Sequence, residues 1–433
     1  MLTSLDDISD LLLDDLVKGI PGGTSGLRLG DVGSQGWNLL REDLPLPVAV
    51  LKADVLDHND RWMAAFLAES GAVLAPHGKT TMSPQLFDGQ IRHGAWAITV
   101  ATVAQLQVAR RFGHKRIILA NQPVGRQAVR YIVNEVADDP DLELFVLADA
   151  LAGVQALAEE AERRQSPRPV SVLVEGGIAG GRTGCRDIES AMDVARAVSG
   201  HTPWLALRGV EGFEGLVQGA TEEARSAAAT AFIDFLGDIA QVCQAENLFA
   251  PGPVILSAGG STYYDIVVER FAAAGIEGAK LVTRSGCYLS QDSALYADAF
   301  EGVKSRSATA RGISGGLAPA LEVWTYVQSL PEPGKAVLTA GRRDLSHDAG
   351  LPVPQTWFRP GSGEPPEPVG TGITTLRLHD QHTEMTVPDD CDWRVGDMVS
   401  LGISHPCTTF DKWQLMFLVD DAYNVTGAVR TFF

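Results

Sequence analysis

The sequence predicts an α/β protein, a TIM-like (β/α)8 barrel followed by a C-terminal all-β domain. Three observations predict it. Between about residues 70 and 300, short apolar runs alternate with longer segments of helical spacing. After about residue 300, the helical periods give way to short β-branched runs. The length, 433 residues, is about three times the ~150-residue domain prior, which leaves room for one large domain and a smaller one.

The expected barrel strands are Ala72–Ala75, Ala97–Val100, Ile117–Ala120, Glu143–Leu147, Val170–Val174, Leu205–Val210, Val254–Ser257 and Lys280–Thr283. A doubly wound open sheet shows the same local rhythm, but eight βα repeats in roughly 230 residues match the length of a closed barrel. The β-module is expected at Glu322–Val327, Ala336–Thr339, Ile373–Leu378, Val399–Ile403 and Leu415–Val419, joined from the N-terminal side by Val48–Leu51. Gly350–Gly372 is rich in Pro and Gly and reads as a surface excursion. The domains are therefore placed at 45–300 for the barrel and 301–433, with part of 1–50, for the β-domain.

Composition excludes several classes of function. Lys plus Arg number 35 against 54 for Asp plus Glu, and a net charge of −19 repels phosphate backbones, so no nucleic-acid partner is expected. Five scattered cysteines form no disulfide framework and suggest a reducing compartment. The N-terminal run interleaves leucines with aspartates, unlike a secretory leader, and no uncharged run of about 18 apolar residues is present. The expectation is a soluble cytoplasmic protein without a membrane partner.

Barrel chemistry gathers at the C-terminal ends of the strands, and unusual turns fall there. In APHGKTTMSP, Ala75–Pro84, Lys79 lies just past the first strand. A lysine at an apolar barrel mouth can serve as an imine-forming nucleophile and proton carrier. After the fifth strand, EGGIAGGRTGCR places Arg182 in a glycine-lined approach; after the sixth comes EGFEGL with Phe213 and Glu214. The seventh and eighth strands lead into SAGGST and RSGCYL. Two glycine turns after adjacent late strands suit a phosphate, whose oxygens accept from free backbone N–H groups. In the β-module, SHPCTTFDKW sets His405 and Cys407 two residues apart, on one side of an extended chain, where both could reach one borderline metal such as zinc. The residues alone leave blander readings open: a solvated lysine, glycines that only make tight turns, and a loop histidine beside a buried cysteine. Asp380, Gln381, His382, Asp411 and Lys412 are noted without a role.

In this order along the chain, from about Pro45 to Phe433, these blocks resemble the D-threonine aldolase and D-serine dehydratase family, the metal-dependent branch of the alanine-racemase-like (fold type III) pyridoxal phosphate enzymes. The resemblance implies that Lys79 carries pyridoxal phosphate, with His77 and Arg182 beside it and Gly259, Gly260, Ser261, Gly286, Cys287 and Tyr288 around its phosphate. It implies a divalent metal, zinc or manganese, on His405 and Cys407, and a homodimer with active sites near the subunit contact. Three positions depart from the family pattern: Ala75 replaces an arginine, Cys287 replaces a frequent threonine, and a tyrosine near Phe213 is absent. The implied activity is β-elimination from D-3-hydroxy amino acids such as D-serine or D-threonine, giving a 2-oxo acid and ammonia. Cys407 matches the dehydratase side, where the aldolase branch tends to carry aspartate. Retro-aldol cleavage to glycine and an aldehyde is the alternative; a racemase or a non-catalytic pyridoxal phosphate carrier fits less well.

Overall fold

The computed structural model of the chain describes residues 4–433; residues 1–3, where the acidic N-terminal run begins, lie outside the described residues. Eight parallel strands form one curled sheet: Val73–Leu74, Ile98–Val100, Arg116–Leu119, Glu143–Ala148, Val170–Gly176, Leu205–Gly212, Val254–Ala258 and Ala279–Thr283. Each expected strand is present. The first pairs with the eighth through Val73↔Val282, and the ring closes on its other side through a bridge between His77 and Thr99, where Thr99 Oγ1 donates to Ala75 O at 2.7 Å.

The strands are buried on both faces, as a parallel sheet covered by helices requires. Alternation sorts their residues. Ile118, Phe145, Leu147 and Ile255 point into the barrel, whereas Ile117, Leu119, Leu144 and Val146 pack outward under the helices. Toward the C-terminal ends the interior turns polar, with Glu175, Glu211, Ser257, Thr283 and Arg284 all buried. That polar layer floors the site. The helix Glu222–Ala245, capped by Thr221 Oγ1, is long and apolar enough by length and composition to span a membrane, although Asp234 and Asp238 interrupt its apolar stretch. Here its Phe232, Ile233, Leu236 and Ile239 are buried in the same cluster as the sixth and seventh strands.

The second sheet is antiparallel but for one pairing. Leu321–Glu332 runs through its middle, paired with Val48–Lys52, Met398–Gly402 and Lys335–Leu338. Val48–Lys52 lies between Leu321–Glu332 and Leu415–Val419, running parallel to the latter. One expectation needs correction. Gly350–Gly372 is not wholly irregular, because Val353–Phe358 pairs with Met398–Gly402, with an irregular register between Pro354 and Thr356. Proline is tolerated in a strand at such an irregularity, where a ladder hydrogen bond is missing anyway.

The two domains are joined where the site lies. Phe432 N–H donates to Met82 O at 2.9 Å and Arg430 N–H to Gln85 Oε1 at 2.8 Å, tying the C-terminal strand to the loop that carries Lys79. Ser293 N–H donates to Ile403 O at 3.0 Å, tying the turn after the eighth strand to the segment that carries His405.

Candidate active site

A cavity of about 680 Å3 opens between the C-terminal rim of the barrel and the β-domain. Lys79, His77, Arg182, Gly259, Gly260, Ser261, Gly286, Cys287, His405 and Cys407 all line it. Of the residues expected at the site, Tyr288 alone does not.

Lys79 stands on a single 3-10 turn, Gly78–Thr80, directly after the first strand. The turn is fixed from below, since Gly78 lies so close to Phe87 and Ile98 that a Cβ there would meet Phe87 Cζ at 2.7 Å. The side chain is half-buried, and among the described residues no carboxylate pairs with its amine. His77 precedes it. Burial pushes the His77 imidazole well below its usual range, with the Lys79 and Arg284 charges adding to the effect, so it stays neutral, and its Nδ1 has no hydrogen-bond partner.

Arg182 lies over the Phe213 ring, 4.9 Å from its centroid. Below it, Arg284 forms a buried pair with Glu211, the two side chains 3% and 2% exposed. Arg284 also donates to Ser257 Oγ at 3.0 Å and to Gly212 O at 2.9 Å, which spans the sixth, seventh and eighth strands. Burial pushes the Glu211 carboxyl up to about 8 despite Arg284, and it pushes Glu175 up as well. Glu175 is held by Gln122 and by Thr183 Oγ1. These polar anchors were not assigned from the sequence, because lone acidic residues near strand ends carry no local signature.

The glycine turns make a cradle. Gly259 sits at φ +120°, in the region that favours glycine. A Cβ on Gly286 would lie 2.5 Å from His77 O, so only glycine lets these two turns touch. The helix Tyr264–Ala273 begins without a side-chain cap, which leaves its first-turn N–H groups uncapped beside the cradle. One expectation fails: Gly260 N–H is not free, since it donates to Glu214 Oε1 at 2.9 Å.

Tyr288 is a second correction. Its hydroxyl is buried away from the cavity, bonded to Asp60 and accepting from Gln90 Nε2 at 3.0 Å. The next residue along a turn need not face the way its neighbour faces, and Cys287 took the inward place.

The β-domain wall brings His405 and Cys407 together. Asp348 Oδ2 lies 2.7 Å from His405 Nδ1, and Thr408 Oγ1 donates to Asp348 Oδ1 at 2.6 Å. Burial opposes these bonds, but they hold the Asp348 carboxyl below its usual range. His405 is pushed up to about 9, first by its hydrogen bond to Cys407 and then by Asp348. The Cys407 thiol is held well below its usual range, chiefly by Cys287 and His405, while Cys287 is pushed up by the same contact and by burial. Cys287 Sγ is 3.6 Å from Cys407 Sγ, and Thr80 Oγ1 is 3.4 Å from Cys407 Sγ. Among the described residues no group of three or more His, Cys, Asp or Glu side chains is arranged to hold a metal. Asp348 was invisible in the sequence, lying 57 residues before its partner. Asp411 and Lys412 pair with each other, and Asp380, Gln381 and His382 lie in a hairpin turn and do not line the cavity.

Residues 320–419 match the family described as a putative serine dehydratase domain. The chain is 25% identical over 317 residues to a 3-hydroxy-D-aspartate aldolase of Paracoccus denitrificans, covering 72% of this chain and 75% of that one. It is 26% identical over 408 residues to a D-threonine aldolase of an Arthrobacter species, covering 92% and 94%. Two solved structures share the fold. D-threonine aldolase from Filomicrobium marinum matches with a TM-score of 0.74 at 21% identity, over 92% of this chain and 97% of that one. D-threo-3-hydroxyaspartate dehydratase from Delftia sp. HT23 matches with 0.68 at 20%, over 91% and 99%. The resemblance read from the lysine and His-x-Cys blocks is thus met by relatives and neighbours that are aldolases and dehydratases.

Proposed function

We propose that the protein is a pyridoxal phosphate- and metal-dependent dehydratase of D-3-hydroxy amino acids, releasing a 2-oxo acid and ammonia. The observation that carries this reading is the placement of an unpaired lysine, Lys79, across one cavity from the His405–Cys407 pair.

The residues present fit the cofactor. Lys79 offers an amine without a carboxylate partner, Gly259 and Gly286 leave a cradle that a Cβ would spoil, and His77 Nδ1 and Arg284 Nε are buried without partners. When bound, pyridoxal phosphate supplies an electron sink for charge developing at Cα of the substrate. Lys79 would hold it, with Ser261, Gly286 and Cys287 about the phosphate and Arg182 at the other end of the ring. Lys79 Nζ would also be the base for the substrate's Cα proton. The buried Glu211–Arg284 pair, with Arg284 also tied to Ser257 and Gly212, fixes the floor of the cavity.

A nitrogen and a sulfur donor suit a borderline metal, and two protein ligands leave open positions. His405 and Cys407 would hold a divalent metal, zinc in preference to manganese, whose Lewis acidity would favour departure of the β-hydroxyl. Asp348 orients the His405 ring by engaging Nδ1, which leaves the other nitrogen for the metal. Loss of the Cα proton and of hydroxide gives an enamine, which hydrolyses to the 2-oxo acid and ammonia.

The second reading is aldol cleavage to glycine and an aldehyde, favoured by the two curated relatives, both aldolases. Cys407, rather than an aspartate, supports the dehydratase. Product analysis decides: D-serine, D-threonine and D-3-hydroxyaspartate are each supplied to the holoenzyme. Ammonia with a 2-oxo acid is the expected result, and glycine with an aldehyde would transfer the assignment to the aldolase. We further read the assembly as a homodimer, which light scattering tests.

A further inference from the structure

Cys287 and Cys407 come from different domains and 120 residues apart, yet their sulfurs lie 3.6 Å from each other in the wall of the cavity. Cys287 sits in the turn after the eighth barrel strand, and Cys407 opens the four-residue helix Cys407–Phe410 of the β-domain. A disulfide needs the sulfurs at about 2.05 Å, so the pair has roughly 1.5 Å to close. The remaining cysteines are not poised in this way. Cys243 is buried against Met192, Cys185 donates to Asp149 O, and Cys391 lies in a β-domain loop.

We propose that Cys287 and Cys407 form a dithiol oxidised by hydroperoxides, closing a reversible disulfide that bolts the barrel rim to the β-domain. The Cys407 sulfur attacks the outer oxygen of the peroxide; the O–O bond breaks, leaving an alcohol, or water from hydrogen peroxide, and a sulfenic acid on Cys407. The Cys287 sulfur then displaces the sulfenic oxygen, which leaves as water with the Cys287 thiol proton. Two thiols and one peroxide thus become one disulfide, one alcohol and one water. Thr80 Oγ1 lies 3.8 Å from Cys287 Sγ and 3.4 Å from Cys407 Sγ, so the bond would form against the residue that follows Lys79 in the chain. That the disulfide also removes a metal donor rests on the reading of Cys407 given above; the formation of the bond does not.

The test treats full-length protein, metal-depleted and zinc-loaded, with hydrogen peroxide, then counts free thiols and maps peptides without reduction. In the metal-depleted protein the free thiols should fall from five to three, with one Cys287–Cys407 cross-linked peptide that dithiothreitol releases. The Cys287→Ser variant should form no cross-link and should carry a Cys407 sulfenic acid that dimedone traps. No cross-link, or one joining another pair, overturns the proposal. Zinc should slow the cross-linking about tenfold or more if Cys407 is a ligand. Cross-linking that proceeds at an unchanged rate with zinc present sustains the dithiol and refutes the metal assignment instead.

Discussion

The two walls of the cavity are built differently. On the barrel wall, Lys79 rides on a turn packed against the buried side chains of Phe87 and Ile98, above an Arg284–Glu211 pair with 3% and 2% of its side chains exposed. On the β-domain wall, His405 stands on a loop held by side chains from another loop. Ser346 Oγ accepts from His405 N–H at 3.1 Å, and Asp348 engages the ring, with side-chain exposures of 23% and 45% for His405 and Asp348. A covalently attached cofactor is served by a wall that does not move, whereas an exchangeable metal is served by one that water can reach.

That contrast can be broken most severely at Lys79. Lys79→Ala should abolish the yellow absorption of the holoenzyme and lower turnover by about 10³-fold or more. Borohydride reduction of the unsubstituted protein should fix the cofactor on Lys79 by peptide mapping. Survival of both colour and turnover in the variant would falsify the barrel-wall assignment.

On the other wall the effect should separate cleanly from cofactor binding. His405→Ala, or removal of metal by a chelator, should lower the elimination rate by about 10²-fold while the cofactor absorption persists. Steady-state ammonia release and the visible spectrum together check it, and loss of colour along with rate would mean the walls are not independent.

Asp348→Asn sharpens the comparison further, because it leaves both proposed ligands in place. Metal affinity, titrated against a competing chelator, should weaken about 10- to 100-fold, with partial recovery of activity at high metal. An unchanged affinity would remove Asp348 from the orienting role.

The smallest effect on rate is expected at Tyr288. Tyr288→Phe should leave the KM for cofactor unchanged, since the hydroxyl faces Asp60 and Gln90. It should cost about 1–3 kcal/mol of stability by stranding buried polar partners, read as a lower denaturant midpoint. A raised cofactor KM would instead restore Tyr288 to the phosphate cup.

Apolar patterning along this chain carried a great deal. Short unbroken apolar runs such as those within Arg116–Leu119 and Glu143–Ala148 placed all eight barrel strands, because burial on two faces leaves its mark on consecutive residues. Gly350–Gly372 misled, since composition says where the chain turns and not whether a neighbouring strand will recruit Val353–Phe358. Within the site, Lys79, Arg182, His405 and Cys407 were legible because each sits in a local block of distinctive spacing. Asp348, the Arg284–Glu211 pair and the Glu214 contact with Gly260 were not, for their partners are distant in sequence.

By itself, then, the order of amino acids determined the barrel, the β-module and the identity of the groups that line their junction. Only the tertiary structure decided which of those groups face each other: that Cys287 turns toward Cys407 while Tyr288 turns away, and that Asp348 comes to stand behind His405. The physical reason is that local periodicity is written by burial of neighbouring residues, whereas hydrogen bonds between distant loops are chosen only when the two domains pack together.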